Sequence, residues 1–232
     1  MGFHPGLVDG PIYLDYNATT PVDPEVAAAV RPYLAAQFGN PSSGHRYATA
    51  PAHAVHTARE QVAALVGADP AAIVFTGSGT EANNLAIRGT VPAGDSRHPH
   101  VITQATEHPA VLATCHALHR LHGVRLTHLP VDGDGLVDPR DLTAAITSDT
   151  VLVSIMLANN ETGTIQPLAE LAQAAHAHGV PVHTDAAQAV GRIPVDVAAL
   201  GVDLLTLVGH KMYAPKGIAA LYVRPGLPLE PV

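Results

Sequence analysis

The 232-residue chain is 47% hydrophobic and 14% charged, apolar enough for one large or two small globular cores. Its formal net charge of −8 argues against a general binder of nucleic acid or of anionic membranes. No apolar run approaches the roughly 18 residues of a transmembrane helix, and "MGFHPGLVDGPIYLDYNATTP" lacks the basic-then-apolar pattern of a signal peptide, so a cytoplasmic location is expected.

In chain order, helical patterns come first: "EVAAAVRPYLAAQF" (25–38) and "ATAPAHAVHTAREQVAALVG" (48–67). The apolar run "AIVFT" (72–76) follows, then the helix-like "TEANNLAIRGT" (80–90) and a polar loop, "VPAGDSRHPH" (91–100). Strand-like "HVITQA" (100–105), helix-like "PAVLATCHALHRLHG" (109–123), strand-like "VRLTHLPV" (124–131) and helix-like "DPRDLTAAIT" (138–147) come next. "TVLVSIML" (150–157), helix-like "PLAELAQAAHAHG" (167–179), "VPVHTDA" (180–186), "DLLTLV" (203–208) and "GIAALYV" (217–223) complete the set, and the tail "RPGLPLEP" has the composition of a linker. Several runs are continuously apolar, as in parallel strands covered on both faces, and their alternation with helices predicts an α/β domain with a mostly parallel sheet. Nine residues separate Val208 from Ile218, too few for a helical crossover, so "IAALYV" should run antiparallel to its predecessor if the two are neighbours.

The 15 histidines raise the question of a metal. His116, His119 and His122 lie next to Cys115, with smaller groups at His53/His56 and His176/His178. None has paired-cysteine or HExxH spacing, and residues at i, i+3 and i+6 drift around a helix, so solvated helix faces are expected and no metal site is assigned. Cys115 is the only cysteine, so no intrachain disulfide can form. It sits in the apolar helical pattern "AVLATCHAL", which reads as a buried, inert thiol.

In an open α/β sheet, ligands gather beyond the carboxyl ends of the strands. After 72–76 comes "GSGTEANN", small residues opening a helix, suited to cradling a phosphate. After 100–105 comes His108; after 150–157, Asn159, Asn160 and Glu161; after 180–184, Asp185 and Gln188; after 203–208, His210 and Lys211. A phosphate cradle, an imidazole, amides, a carboxylate and a lysine are the groups that pyridoxal 5'-phosphate needs. Lysine bonds to its aldehyde, a carboxylate keeps the ring nitrogen protonated, and donors meet the phenolic oxygen. Each also has a plainer role, Asp185 as a helix cap, for instance. A nucleotide-binding Rossmann domain fits less well, because "GSGTEA" lacks GxGxxG spacing and no acidic residue stands at the ribose position.

"YLDYNATTP", "FGNPSSGHRYA", "FTGSGTEANNLAI", "TEHPAVLATC", "NNETGTIQP", "HTDAAQAVG" and "GHKMYAPKG" occur in this order. Together they resemble the cysteine desulfurases of the NifS/IscS type, within the class-V aminotransferase group. The resemblance implies an aspartate-aminotransferase-like (fold type I) large domain with a seven-stranded sheet. Residues 1–20 would be an N-terminal arm and 21–232 the pyridoxal-phosphate-binding large domain, ending at the linker to a small C-terminal domain that is missing. It implies cleavage of the C–S bond of L-cysteine, giving L-alanine and sulfane sulfur for iron–sulfur clusters or thiolated cofactors. It further implies a homodimer, a sulfur-acceptor or scaffold protein as partner, and no nucleic acid or membrane partner.

By the same resemblance, Lys211 is the cofactor lysine and moves protons; Asp185 meets the pyridine nitrogen; Gln188 and Asn160 lie near the phenolic oxygen. His108 stacks on the ring as an acid–base candidate, and Gly79, Thr80 and His210 grip the phosphate. Two departures matter. Val208 stands where the family usually has a phosphate-binding serine, a hydrogen bond worth about 1.5–3 kcal/mol. The family's catalytic cysteine and substrate-carboxylate arginine belong to a further segment, so this chain alone is expected to hold the cofactor only weakly and not to complete sulfur transfer. Another class-V aminotransferase or lyase, or a non-catalytic remnant acting as a binding module, are the alternatives.

Overall fold

The computed structural model describes residues 4–8, 10–91 and 98–231. Most of the polar loop read at 91–100 lies outside the described residues, at 92–97. Seven strands form one sheet: β1 (Ile73–Thr76), β2 (His100–Gln104), β3 (Arg125–Leu129), β4 (Thr150–Ser154), β5 (Val182–Asp185), β6 (Leu204–Val208) and β7 (Ala219–Val223). Their order is β1-β7-β6-β5-β4-β2-β3. β7 is antiparallel to both its neighbours, β6 and β1, and all other pairings are parallel. The short connection after Val208 thus has the outcome expected of it. The edge strands β1 and β3 are partly exposed, whereas β2, β5 and β6 are buried along their whole length.

The helices are α1 (Pro24–Ala35), α2 (Thr49–Val66), α3 (Gly79–Thr90), α4 (Pro109–His122), α5 (Pro139–Ala145), α6 (Leu168–His176) and the single turn α7 (Val197–Leu200). Side-chain oxygens of Asp23, Ser78, Asp138 and Asp196 accept from first-turn amides and so fix where α1, α3, α5 and α7 begin. Successive strand residues face opposite sides of the sheet. Val101, Leu152, Leu204 and Leu221 pack with Ala86, Ile87, Val111 and Cys115 of α3 and α4. Ile102, Val153 and Leu205 pack on the other face with Val66 of α2, Leu142 of α5 and Leu168 and Leu171 of α6.

This three-layer arrangement leaves the carboxyl ends of five parallel strands, β1, β2, β4, β5 and β6, opening toward one region. The neighbours β2 and β4 send the chain in opposite directions, to β3 and to β5, which opens a crevice between them. The tail read as a linker lies against α3: Leu227 and Leu229 join the α3–α4 core, and Glu230 N–H donates to the Gly89 carbonyl at 2.9 Å. No helix among the described residues is long and apolar enough to cross a membrane.

Candidate functional site

A cavity of about 270 Å³ lies at these strand ends, lined by Gly79, Thr80, His108, Asn160, Asp185, Gln188, His210 and Lys211 among others. The eight residues to which the resemblance gives a role therefore share one cavity, whereas Asn159 and Glu161, named beside Asn160 at the same strand end, do not line it.

Its floor at the β1 end is the first turn of α3. Ser78 Oγ accepts from Glu81 N–H at 3.1 Å, and Glu81 Oε2 accepts from Gly77 N–H at 2.8 Å. The capping groups thus engage Gly77 and Glu81 and leave the Gly79 and Thr80 amides without a protein acceptor among the described residues. Gly79 is needed for space: a Cβ there would lie 2.5 Å from Val208 Cγ2. The bare backbone of α3 lets the helix terminus, with its free amides and positive dipole end, approach β6.

Asp185 closes β5 and is buried. Its Oδ2 accepts from Asn83 Nδ2 at 2.7 Å and its Oδ1 from Ala187 N–H at 3.0 Å, so the carboxylate is held from two sides. Lys211 ends the 3-10 turn Gly209–Lys211 after β6. Its Nζ donates to the carbonyls of Asn17 and Ala18. Burial lowers its proton affinity, the Arg192 charge lowers it further, and Asp185 and Asp15 act in the opposite sense. His210 likewise has its pKa lowered, by burial and then by Lys211 and Lys216; its Nδ1 lies 3.1 Å from Thr19 Oγ1. His108 is the N-cap of α4, with Nδ1 accepting from Ala110 N–H at 3.1 Å.

The N-terminal segment clasps this site. Thr20 N–H donates to the His210 carbonyl at 2.8 Å, and Tyr213 N–H donates to Thr20 Oγ1 at 2.8 Å. Tyr213 has φ 60°, a backbone state rare outside glycine, so these bonds fix the turn that carries Lys211. Asn17 Nδ2 donates to the Asn160 carbonyl at 3.3 Å, and Gln188 Nε2 donates to the Asn17 carbonyl at 2.9 Å.

Four further residues belong to the site's support: Asn17, Asn83 and Glu107, which lie within the quoted segments without an individual role read from them, and Arg192, just beyond one. Glu107 is buried and its Oε1 accepts from Met156 N–H, while its Oε2 and both side-chain polar atoms of buried Gln104 have no partner among the described residues. Burial holds the Glu107 carboxyl well above its usual range, and the Asp185 charge adds to this. Cys115 is 1% exposed, and burial pushes its thiol up to about 12, so it is protonated at neutral pH. Among the described residues no three His, Cys, Asp or Glu side chains converge as metal ligands.

The aminotransferase class-V family profile matches residues 12–231. The cysteine desulfurase IscS of Dictyoglomus turgidum is 50% identical over 221 residues, covering 95% of this chain and 56% of that protein. The mitochondrial cysteine desulfurase of Drosophila melanogaster is 50% identical over 225 residues, covering 96% and 48%. Among solved structures, SspA in complex with cysteine superposes with a TM-score of 0.92 at 40% identity, covering 95% of this chain and 64% of that one. A NifS-like protein superposes with a TM-score of 0.91 at 36% identity, covering 95% and 61%. The chain thus spans about half the length of the curated relatives it matches.

Proposed function

The chain belongs to the aminotransferase class-V family, and from that premise we propose that its cavity holds pyridoxal 5'-phosphate in the service of a cysteine desulfurase acting on L-cysteine. One observation carries this reading: the carboxylate, lysine, imidazoles, amides and free helix-terminal N–H groups suited to that cofactor line a single cavity. The α3 terminus suits a phosphate because the Gly79 and Thr80 amides have no acceptor among the described residues, and glycine at 79 lets that terminus sit against Val208.

Gly79, Thr80 and His210 would hold the phosphate, Asp185 the ring nitrogen, Asn160 and Gln188 the phenolic oxygen, and His108 the ring face. When bound, the cofactor supplies an aldehyde that condenses with amines and a ring that withdraws electrons from the adjacent carbon. Asp185, fixed by Asn83 and Ala187, holds a proton at the ring nitrogen. Lys211 Nζ, with its proton affinity lowered by burial and Arg192, carries a proton to and from the substrate Cα. His108 stands at the cavity edge on the α4 terminus as an acid–base group.

In the overall reaction, L-cysteine and an acceptor thiol give L-alanine and a persulfide, a balanced exchange needing no outside oxidant or reductant. Buried, protonated Cys115 does not serve as that acceptor, so the accepting thiol comes from outside these residues, on a further segment or a partner. A second copy of the chain covers exposed apolar residues in and after α1, Leu34 and Phe38 among them, and the protein works in the cytoplasm as a homodimer.

The proton-transfer role is separable from sulfur transfer. Incubated with pyridoxal 5'-phosphate and L-alanine in D2O, the chain should exchange the substrate Cα hydrogen for deuterium, read by NMR, and Lys211→Ala should not. Retention of the cofactor without Lys211-dependent exchange would favour a non-catalytic binding module instead.

A further inference from the structure

The cation Arg192 lies outside the set of groups assigned to the cofactor, four residues after Gln188 in the turn that follows β5. Its guanidinium makes three hydrogen bonds with well-formed distances. Nη1 donates to Gln188 Oε1 at 2.7 Å and to Asn17 Oδ1 at 2.7 Å, and Nη2 donates to the Tyr16 carbonyl at 2.8 Å. We propose that Arg192 is a positioning residue for this site: it fixes which end of the Gln188 carboxamide faces the cavity and clamps the Asn17 segment onto Lys211.

A guanidinium can only donate, so the amide atom that meets it must be the carbonyl oxygen. This removes the usual ambiguity of an amide's two ends. For Gln188 it leaves the NH2 group pointing away from Arg192. One N–H of that group donates to the Asn17 carbonyl at 2.9 Å, and the other is left for the cavity that Gln188 lines. An acceptor atom in the cavity, such as the phenolic oxygen assigned to Gln188, then meets a donor and not a second acceptor. The same logic applies to Asn17. With Oδ1 taken by Arg192, Nδ2 is directed at the Asn160 carbonyl, 3.3 Å away. The Asn17 main-chain carbonyl, held in place by these contacts, is one of the two that Lys211 Nζ engages.

Arg192 also acts through its charge. After burial, it is the largest influence lowering the Lys211 pKa, against the raising effect of Asp185 and Asp15; His210 and Lys216 are the other titratable neighbours of this corner. Loss of the clamp alone would free Lys211 Nζ from the Asn17 carbonyl and so lower its pKa, whereas loss of the adjacent cation raises it, so the direction of the shift separates the two effects.

The chain contains only two lysines, Lys211 and Lys216, which makes the test direct. With 13Cε-labelled lysine, the cofactor-free protein gives two side-chain signals, assigned with Lys216→Arg and followed through a pH titration. Arg192→Gln should move the Lys211 midpoint upward, with an unchanged circular dichroism spectrum reporting an intact fold. It should weaken binding of pyridoxal 5'-phosphate about tenfold, the scale of one good hydrogen bond. Arg192→Lys keeps the charge without the planar fork, so it should hold the Lys211 midpoint and still lose part of that affinity. An unmoved Lys211 midpoint in Arg192→Gln overturns the inference. The affinity arm alone rests on the cofactor reading: a wild-type chain that ignores pyridoxal 5'-phosphate yet shows the lysine shift would sink that reading and support the role of Arg192.

Discussion

Lys211 and Asp185 are legible in the sequence because each directly follows an apolar run, where an α/β sheet exposes its strand ends. Their supports are not, because they are made by distant contacts. Asn83 meets Asp185 across 102 positions of sequence and Arg192 meets Asn17 across 175. Glu107 is the sharpest case. It precedes His108 and reads as an ordinary polar residue, yet its carboxyl is buried against the Met156 amide. Its pKa is raised in the folded state, so the folded protein binds more protons than the unfolded chain above the ordinary value of 4.5. Stability from this group is complete below that pH and is lost as pH rises toward the folded pKa. Glu107→Gln keeps the shape and removes the titration. In urea melts the variant should gain on the wild type above pH 4.5, by up to about 1.4 kcal/mol per pH unit, and show no widening gap below it. A gap independent of pH would mean that Glu107 is ionised in the fold.

At the scale of elements, the seven strands and six of the seven helices follow from hydrophobic period and capping signals, and the reversal of β7 follows from its nine-residue connection. The strand order does not follow: β1 pairs with β7, the two most distant strands in sequence, and nothing local encodes that. The single turn α7 is too short to show a helical period. What the sequence writes as "GSG" becomes, in the fold, the contact between α3 and β6 at Gly79 and Val208. Val208 is β-branched and cannot rotate away freely, so Gly79→Ala should cost about 1–2 kcal/mol, overlap outweighing the gain in helix propensity. Pairing it with Val208→Ala should recover part of that loss in a double-mutant cycle read by thermal melts. Strict additivity would show that the two do not press on one another.

Over the whole molecule, the two covered faces of the sheet account for the core, but not for the N-terminal segment through α1. α1 has no buried residue, and Ile12 (88% exposed), Leu14 (83%), Leu34 (80%) and Phe38 (71%) stand in solvent. Apolar exposure on this scale marks a surface that is covered in use. The homodimer proposed above predicts that the chain sediments as two copies at micromolar concentration, and that Leu34→Asp with Phe38→Asp returns a monomer. A wild-type monomer at that concentration would contradict it. The composition shows that apolar residues are plentiful, but only the folded arrangement shows which of them are left without cover.

The central claim is that Lys211 is the residue to which pyridoxal 5'-phosphate attaches. The most direct measurement is to add the cofactor to the purified chain, reduce with borohydride, digest, and locate the modified lysine by mass spectrometry. The account predicts the adduct on Lys211 alone, accompanied by an absorbance band that survives dialysis and is absent from Lys211→Ala. An adduct divided between Lys211 and Lys216, or no adduct on soluble, folded protein, would contradict it.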